Sequence, residues 1–254
     1  MATPLSMIDL VEAFRKPGCP VCRITKKDVE SFLHSMLFEG YKFPETHERF
    51  RAGRGLCNAH AWQLSESFRG ALLNIGLYYR GALKALLADL ESAGRPGAGQ
   101  AASAARSGLG RLFGGGGGSA DQAPSSPLAD ALEAPKPCMA CEIRATSEAL
   151  YTRTIGEHIS NERLAEAYRA SDGVCVPHLR MVLRAATPAD QRAIIAIQRG
   201  IWEALLADLD QFVEMHDHHH TGEFMGAEGD SWLRVLRSMA GEQGMFGVDD
   251  RADE

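Results

Sequence analysis

Apolar residues recur at spacings of three and four along most of this chain, the period of a helix with one face turned to a core. Val29, Phe32, Leu33, Met36 and Leu37 follow Cys22 in this way and predict a helix that Gly40 and Pro44 close. A short helix around 45–52 is expected next, then one opened by Cys57 with Leu64 and Phe68 behind it. A long helix running to Glu91 carries Leu72, Ile75, Tyr79, Leu83, Leu86, Leu87 and Leu90 on one stripe. Near the N-terminus, Ser6 is placed to cap a short helix that runs through Phe14 and is ended by Pro17-Gly18. The same order recurs later, with helices expected over 141–158, 161–170, 175–186 and 188–216. Thr187-Pro188-Ala189-Asp190 reads as a helix start, with a cap, a proline in the first turn and an acid at N3. Ile194, Ile195, Ile201, Leu205, Leu209 and Phe212 form the stripe of the last of these helices. No hairpin dipeptide sits between alternating apolar runs, so the expected class is all-α.

The recurrence extends to residue identity. Cys19, Cys22, Cys57 and His60 in the first half match Cys138, Cys141, Cys175 and His178 in the second. Cys19 and Cys138 are 119 residues apart, Cys57 and Cys175 118. Residues 80–91 align with 199–210, and eight of the twelve pairs are identical. Gly55 before Cys57 likewise matches Gly173 before Cys175. We therefore expect a tandem duplication: two helical units in a pseudo-twofold arrangement, each with its own Cys3His metal site. The expected organisation is a first repeat over 1–91, a Gly/Ala/Pro-rich linker over 92–137 and a second repeat over 138–218. An acidic C-terminal appendage over 219–254 completes it. In the linker, Gly114–Gly118 and the surrounding Ala, Ser and Pro cannot bury enough apolar surface to offset ordering, apart from a transient helix at 101–113. In the appendage, 230–240 predicts a short amphipathic helix with Trp232, Leu233, Leu236 and Met239.

The two sets use all six cysteines of the chain. Three thiolates and an imidazole in close pairs suit a closed tetrahedral zinc site, so two zinc ions are expected, with an iron–sulfur cluster as the alternative. A helix N-terminus favours a thiolate, and Arg23, Lys26, Arg144 and Arg180 lie near enough in sequence to offset site charge. Four protein ligands leave no open position for catalytic water, so the metal reads as structural. His34, His47 and His158 have no histidine counterpart in the other half and are not assigned to these sites. The His216-Asp217-His218-His219-His220 cluster could form a third, open metal site; a solvated helix end is the simpler reading.

A net charge of −6, with acidic residues concentrated after residue 213, argues against binding to nucleic-acid backbone. Arg49, Arg51 and Arg54 read as a solvated basic face. No apolar run approaches a membrane span, no signal peptide is evident, and reduced thiols suit the cytoplasm. The chain carries no Gly-x-Ser-x-Gly, P-loop or dinucleotide fingerprint. The expected function is a non-enzymatic interaction or adaptor protein with structural zinc and a protein partner. The alternatives are a thiol-based redox or metal sensor and a metalloenzyme using His216–His220.

The Cys-Pro-Val-Cys-Arg opening, the Leu-Cys-Asn-Ala-His-Ala-Trp segment and the late Gly-Asp-Ser-Trp-Leu-Arg motif resemble a bacterial family known only as a domain of unknown function. The resemblance spans both halves and the appendage but not the linker. It implies a two-copy metal-binding helical protein and carries no activity with it.

Overall fold

Eleven α-helices and two short 3₁₀ turns make up the described residues, 4–94, 126–216 and 226–245 of a computed structural model; no strand occurs among them. The helices are α1 (Leu5–Ala13), α2 (Pro20–Phe38), α3 (Pro44–Ala52), α4 (Asn58–Ser67), α5 (Leu72–Ala93) and α6 (Pro127–Leu132). They continue as α7 (Met139–His158), α8 (Glu162–Arg169), α9 (Val176–Ala185), α10 (Pro188–Met215) and α11 (Ser231–Ala240). No described helix is long and apolar enough to cross a membrane. Most of the expected linker, with its 101–113 segment, lies outside the described residues, as do His218, His219 and His220.

Several ends form for the reasons the sequence suggests. The Thr187 hydroxyl accepts the Asp190 N–H at 3.3 Å and donates to its carboxylate at 2.6 Å, with Pro188 in the first turn of α10. Asn161 caps α8 by accepting the Leu164 N–H at 3.3 Å. Ser6, however, does not cap α1: that place is taken by Pro4, and the serine hydroxyl lies 2.9 Å from that of Thr154. The first turn of α1 therefore has no side-chain cap.

The described residues divide into two compact units, and the boundaries differ from the expected 1–91 and 138–218. The smaller unit is Leu33–Cys141; the larger combines the described parts of Met1–Phe32 and Glu142–Glu254. The chain thus passes between units inside α2 and inside α7.

The core of the larger unit joins Leu10 and Phe14 of α1 to Ile155, Leu164, Tyr168, Val182 and Ile194, with Phe14 stacked on Tyr168 at 5.0 Å. In the smaller unit, Phe50 packs against Tyr78 at 5.0 Å and edge-on to Tyr79 at 5.1 Å. The Tyr78 hydroxyl donates to the Met36 carbonyl at 2.8 Å and the Asn74 amide to that of Leu37 at 2.9 Å, tying α5 to the C-terminal end of α2.

The long helices bury less than their stripes suggest. On α5 only Tyr78 and Ala82 are buried, while Leu72, Leu83 and Leu87 are exposed. On α10 the buried pair is Ile194 and Gln198, and Ile195 is exposed. Period alone marks apolar positions; which of them a neighbour covers depends on where α3 and α6 meet α5, and α8 and α11 meet α10. The appendage helix α11 turns polar side chains inward. Ser231 and Ser238 are buried, and Trp232, Leu236 and Met239 are exposed. The Trp202 indole N–H donates to Ser238 at 2.7 Å, and Arg234 pairs with Asp208 at 2.9 Å. Polar side chains thus hold α11 on α10. Arg54 belongs to no solvated face either: it pairs with Asp89 at 2.5 Å and donates to the carbonyls of Ala131 and Glu133.

Candidate metal centres

All four Cys-x-x-Cys and Cys-x-x-His pairs occupy the same place on a helix. Cys19, Cys57, Cys138 and Cys175 immediately precede α2, α4, α7 and α9, and Cys22, His60, Cys141 and His178 are the third helical residues. Side chains at N-cap and N3 face one another, as in a capping box, so each pair is two donors aimed at one point. The carbonyls of Cys19, Cys57 and Cys175 accept the first helical hydrogen bonds at 3.2, 2.9 and 2.8 Å. The glycines at 55 and 173 set the approach. Both have positive φ, 94° and 77°. A Cβ on Gly55 would lie 3.0 Å from the Tyr79 ring, and one on Gly173 would lie 2.5 Å from the Gln198 amide.

The eight expected residues converge in two groups of four, but not as sequence order suggests. Cys19, Cys22, Cys175 and His178 form one group, and Cys57, His60, Cys138 and Cys141 the other. The expectation that each half of the sequence closes its own site is therefore corrected: each group takes its Cys-x-x-Cys from one half and its Cys-x-x-His from the other. Contacts within each unit supply the reason. The Gly18 N–H donates to Asp172 at 2.7 Å, tying the entrance of α2 to the loop before Cys175, and the Lys136 N–H donates to the Ala52 carbonyl at 3.1 Å, tying the entrance of α7 to the segment before Cys57. The Cys-x-x-Cys pair at the start of α7 is the one brought to Cys57 and His60. Each complete group lies within one compact unit.

In the larger unit, His178 Nδ1 lies 3.2 Å from Cys175 Sγ, 3.3 Å from that of Cys22 and 3.5 Å from that of Cys19. Cys22 and Cys175 are 3.7 Å apart. In the smaller unit, His60 Nδ1 lies 3.2, 3.4 and 3.7 Å from Cys57, Cys141 and Cys138, and Cys57 and Cys141 are 3.5 Å apart. Metal–sulfur bonds of about 2.3 Å and metal–nitrogen bonds of about 2.0 Å give tetrahedral edges of about 3.8 and 3.5 Å. The donors therefore already stand near the corners of a metal-sized tetrahedron, and both groups could hold an ion.

Within each group the donors share protons: hydrogen bonds with neighbouring thiols push Cys22 and Cys141 above the ordinary thiol range while another thiol is pulled down. Burial would raise Cys19, but hydrogen bonds from Cys175, Cys22 and His178 hold it well below the ordinary thiol range. Cys138 is likewise lowered, chiefly by hydrogen bonds from Cys141 and Cys57. Burial lowers the imidazoles, yet contact with the sulfurs outweighs it, raising His60 to about 9 and His178 to about 11. A metal ion entering either group must displace protons, so acid favours release.

The two groups differ in their surroundings. All four residues in the larger unit are buried, whereas Cys57 and Cys141 are half-buried. His178 Nε2 lies 3.4 Å from Glu148, a buried carboxylate whose other oxygen is 4.0 Å from Arg144. Arg144 in turn donates to the Met245 carbonyl at 2.6 Å, linking this line of contacts to the appendage. Among the described residues His60 has no such carboxylate. Gln198 is the other residue the sequence did not single out. Fully buried, it accepts from the Tyr168 hydroxyl at 2.7 Å and the Val174 N–H at 3.0 Å, fixing the loop that delivers Cys175. The repeat offered no signal for either, since Glu148 aligns with Val29 and Gln198 with Tyr79. Of the residues expected to offset site charge, Arg23 instead donates to the Ala13 carbonyl at 2.7 Å. Of the histidine cluster only His216 is described; it is exposed and its ring lies 2.8 Å from the Phe212 carbonyl.

No curated protein and no solved structure matches the chain. Residues 1–245, which carry both Cys/His groups and α11, match the model of a family of unknown function, DUF6062, and the chain belongs to that family.

Proposed function

We propose that this is a non-enzymatic interaction protein of the cytoplasm in which two zinc ions hold the helices in place. The observation that carries the reading is the donor geometry: each group spends all four protein donors on one tetrahedron at the meeting of two helix N-termini. Such a site leaves no position for substrate, and its binding energy goes into folding. The binding role is supported by the apolar side chains left exposed on α5, Leu72, Leu83 and Leu87, and on α11, Trp232, Leu236 and Met239. The two halves read as copies of one ancestral unit whose Cys-x-x-Cys segments have exchanged places.

Metal analysis of the purified protein tests the metal assignment. Two zinc ions per chain and a colourless protein are expected, with a clear drop in melting temperature on chelation. Iron with a visible absorption band, or chelation without thermal effect, would refute it.

A further inference from the structure

A cleft of about 730 Å³ opens in the larger unit beside its Cys/His group, with Cys19 and Cys175 among its lining residues. It is also lined by the small-residue face of α10 (Ala196, Gly200 and Ala204), by the loop Ala170–Gly173 and by Arg234 and Arg237 of α11.

The corresponding place in the smaller unit is covered. The counterparts of that loop and that helix face are residues 52–55 and α5, and the segment leading into Cys138 lies on them. Arg54 donates to the carbonyls of Ala131 at 2.6 Å and Glu133 at 3.2 Å, and the Lys136 N–H donates to the Ala52 carbonyl at 3.1 Å. The aspartate at the far end of the face is neutralised in both units, Asp89 by Arg54 and Asp208 by Arg234.

The larger unit departs from this pattern at one residue. Where the smaller unit has Arg54, it has Asp172, whose carboxylate accepts the Gly18 N–H at 2.7 Å. The segment leading into Cys19 goes elsewhere: α1 packs on α8 and reaches α7 through Ser6 and Thr154. Ala170 and its loop are left lining open space. Both lining carboxylates, Asp172 and Asp208, are already engaged. Of the arginines, Arg169 pairs with no described residue, and Arg237 is 3.7 Å from Glu242.

We propose that this cleft binds a short acidic, partly apolar peptide segment of a partner protein, seated against Ala170–Gly173 and α10 much as residues 128–136 are seated in the smaller unit. Backbone groups of the loop, the small-residue floor and the Arg169 guanidinium supply the recognition, with Arg237, 3.7 Å from Glu242, beside it. The inference rests on the reading of the protein as a binder and gives that reading a location and a partner chemistry.

The test uses full-length, metal-loaded protein and a fluorescein-labelled peptide copying residues 126–136, which carry Asp130 and Glu133. Saturable anisotropy is expected. Binding should weaken at least about tenfold, or 1.4 kcal/mol, with Ala204→Trp, with Arg169→Glu/Arg237→Glu, and with a peptide in which both acids are lysine. The rim double variant keeps the test sound if the tryptophan perturbs folding, and metal content measured on each sample separates failure of the peptide site from failure of the metal assignment. Absence of saturation by about 1 mM peptide, or equal binding by both protein variants, overturns the proposal. So does loss of binding with Arg54→Ala but not with Ala204→Trp, which would place the peptide in the smaller unit. Self-association abolished by Ala204→Trp, without peptide binding, would assign the cleft to a second copy of this chain and overturn it too. Competition by free glutamate at the peptide's own concentration would mark a simple anion site, with the same consequence.

Discussion

Glu148 and Gln198 act on the Cys/His donors without joining either group. Glu148 receives the Nε2 side of His178, which fixes the ring with Nδ1 toward the sulfurs. Removing such a carboxylate typically weakens metal binding by about 10- to 100-fold. We expect Glu148→Ala to show a loss of that order for one of the two ions in a chelator competition, with the other ion held as tightly as before. Equal retention of both ions would show that the imidazole needs no such support. These two residues also mark what was hard to read. Cys and His at fixed spacing announce themselves because metal chemistry restricts the donor types. A buried Glu or Gln in a helix has no such signature, and becomes meaningful only when the fold sets it opposite His178 or Tyr168.

Helices and their entrances were mostly legible. The N-cap/N3 spacing of every Cys/His pair, the cap at Thr187 and the glycines at 55 and 173 are local, and local chemistry dictates them. The Gly173 position allows a direct check. Its positive φ and the 2.5 Å approach of the Gln198 amide leave no room for a side chain. Gly173→Ala should cost about 2 kcal/mol in urea denaturation, through backbone strain and disruption of the buried Gln198 contacts. An unchanged midpoint would mean the loop before α9 is not under this constraint. Burial of the long helices was less legible. Leucine covers much of α5, so its period could not say that Tyr78 and Ala82 face inward while Leu72, Leu83 and Leu87 stay exposed. On α11 the apolar face was legible, but not the polar contacts that dock the helix: buried Ser238 and half-buried Arg234 find partners on α10.

The whole chain differs most from its linear order in how the metal groups are assembled. Pairing across halves makes a prediction that pairing within halves reverses. Cys19→Ser/Cys175→Ser removes two donors from one group and should lose one ion, whereas Cys19→Ser/Cys57→Ser damages both groups and should lose two. Metal content of the two double variants distinguishes the arrangements, and the reverse outcome would restore the within-half sites. The Cys and His donors, their number and the order of the helices were all available from residue type and spacing, because donor chemistry and helical period are local. Which Cys-x-x-Cys meets which Cys-x-x-His was not. Two equivalent pairs can combine either way with the same donors, and the choice falls to contacts such as Gly18 with Asp172 and Lys136 with Ala52, which tie each Cys-x-x-Cys entrance to the segment before its partner. The same holds for Glu148, for the polar contacts of α11 and for the cleft lined by Cys19 and Cys175. Each depends on contacts between residues far apart in the chain, which no local pattern encodes.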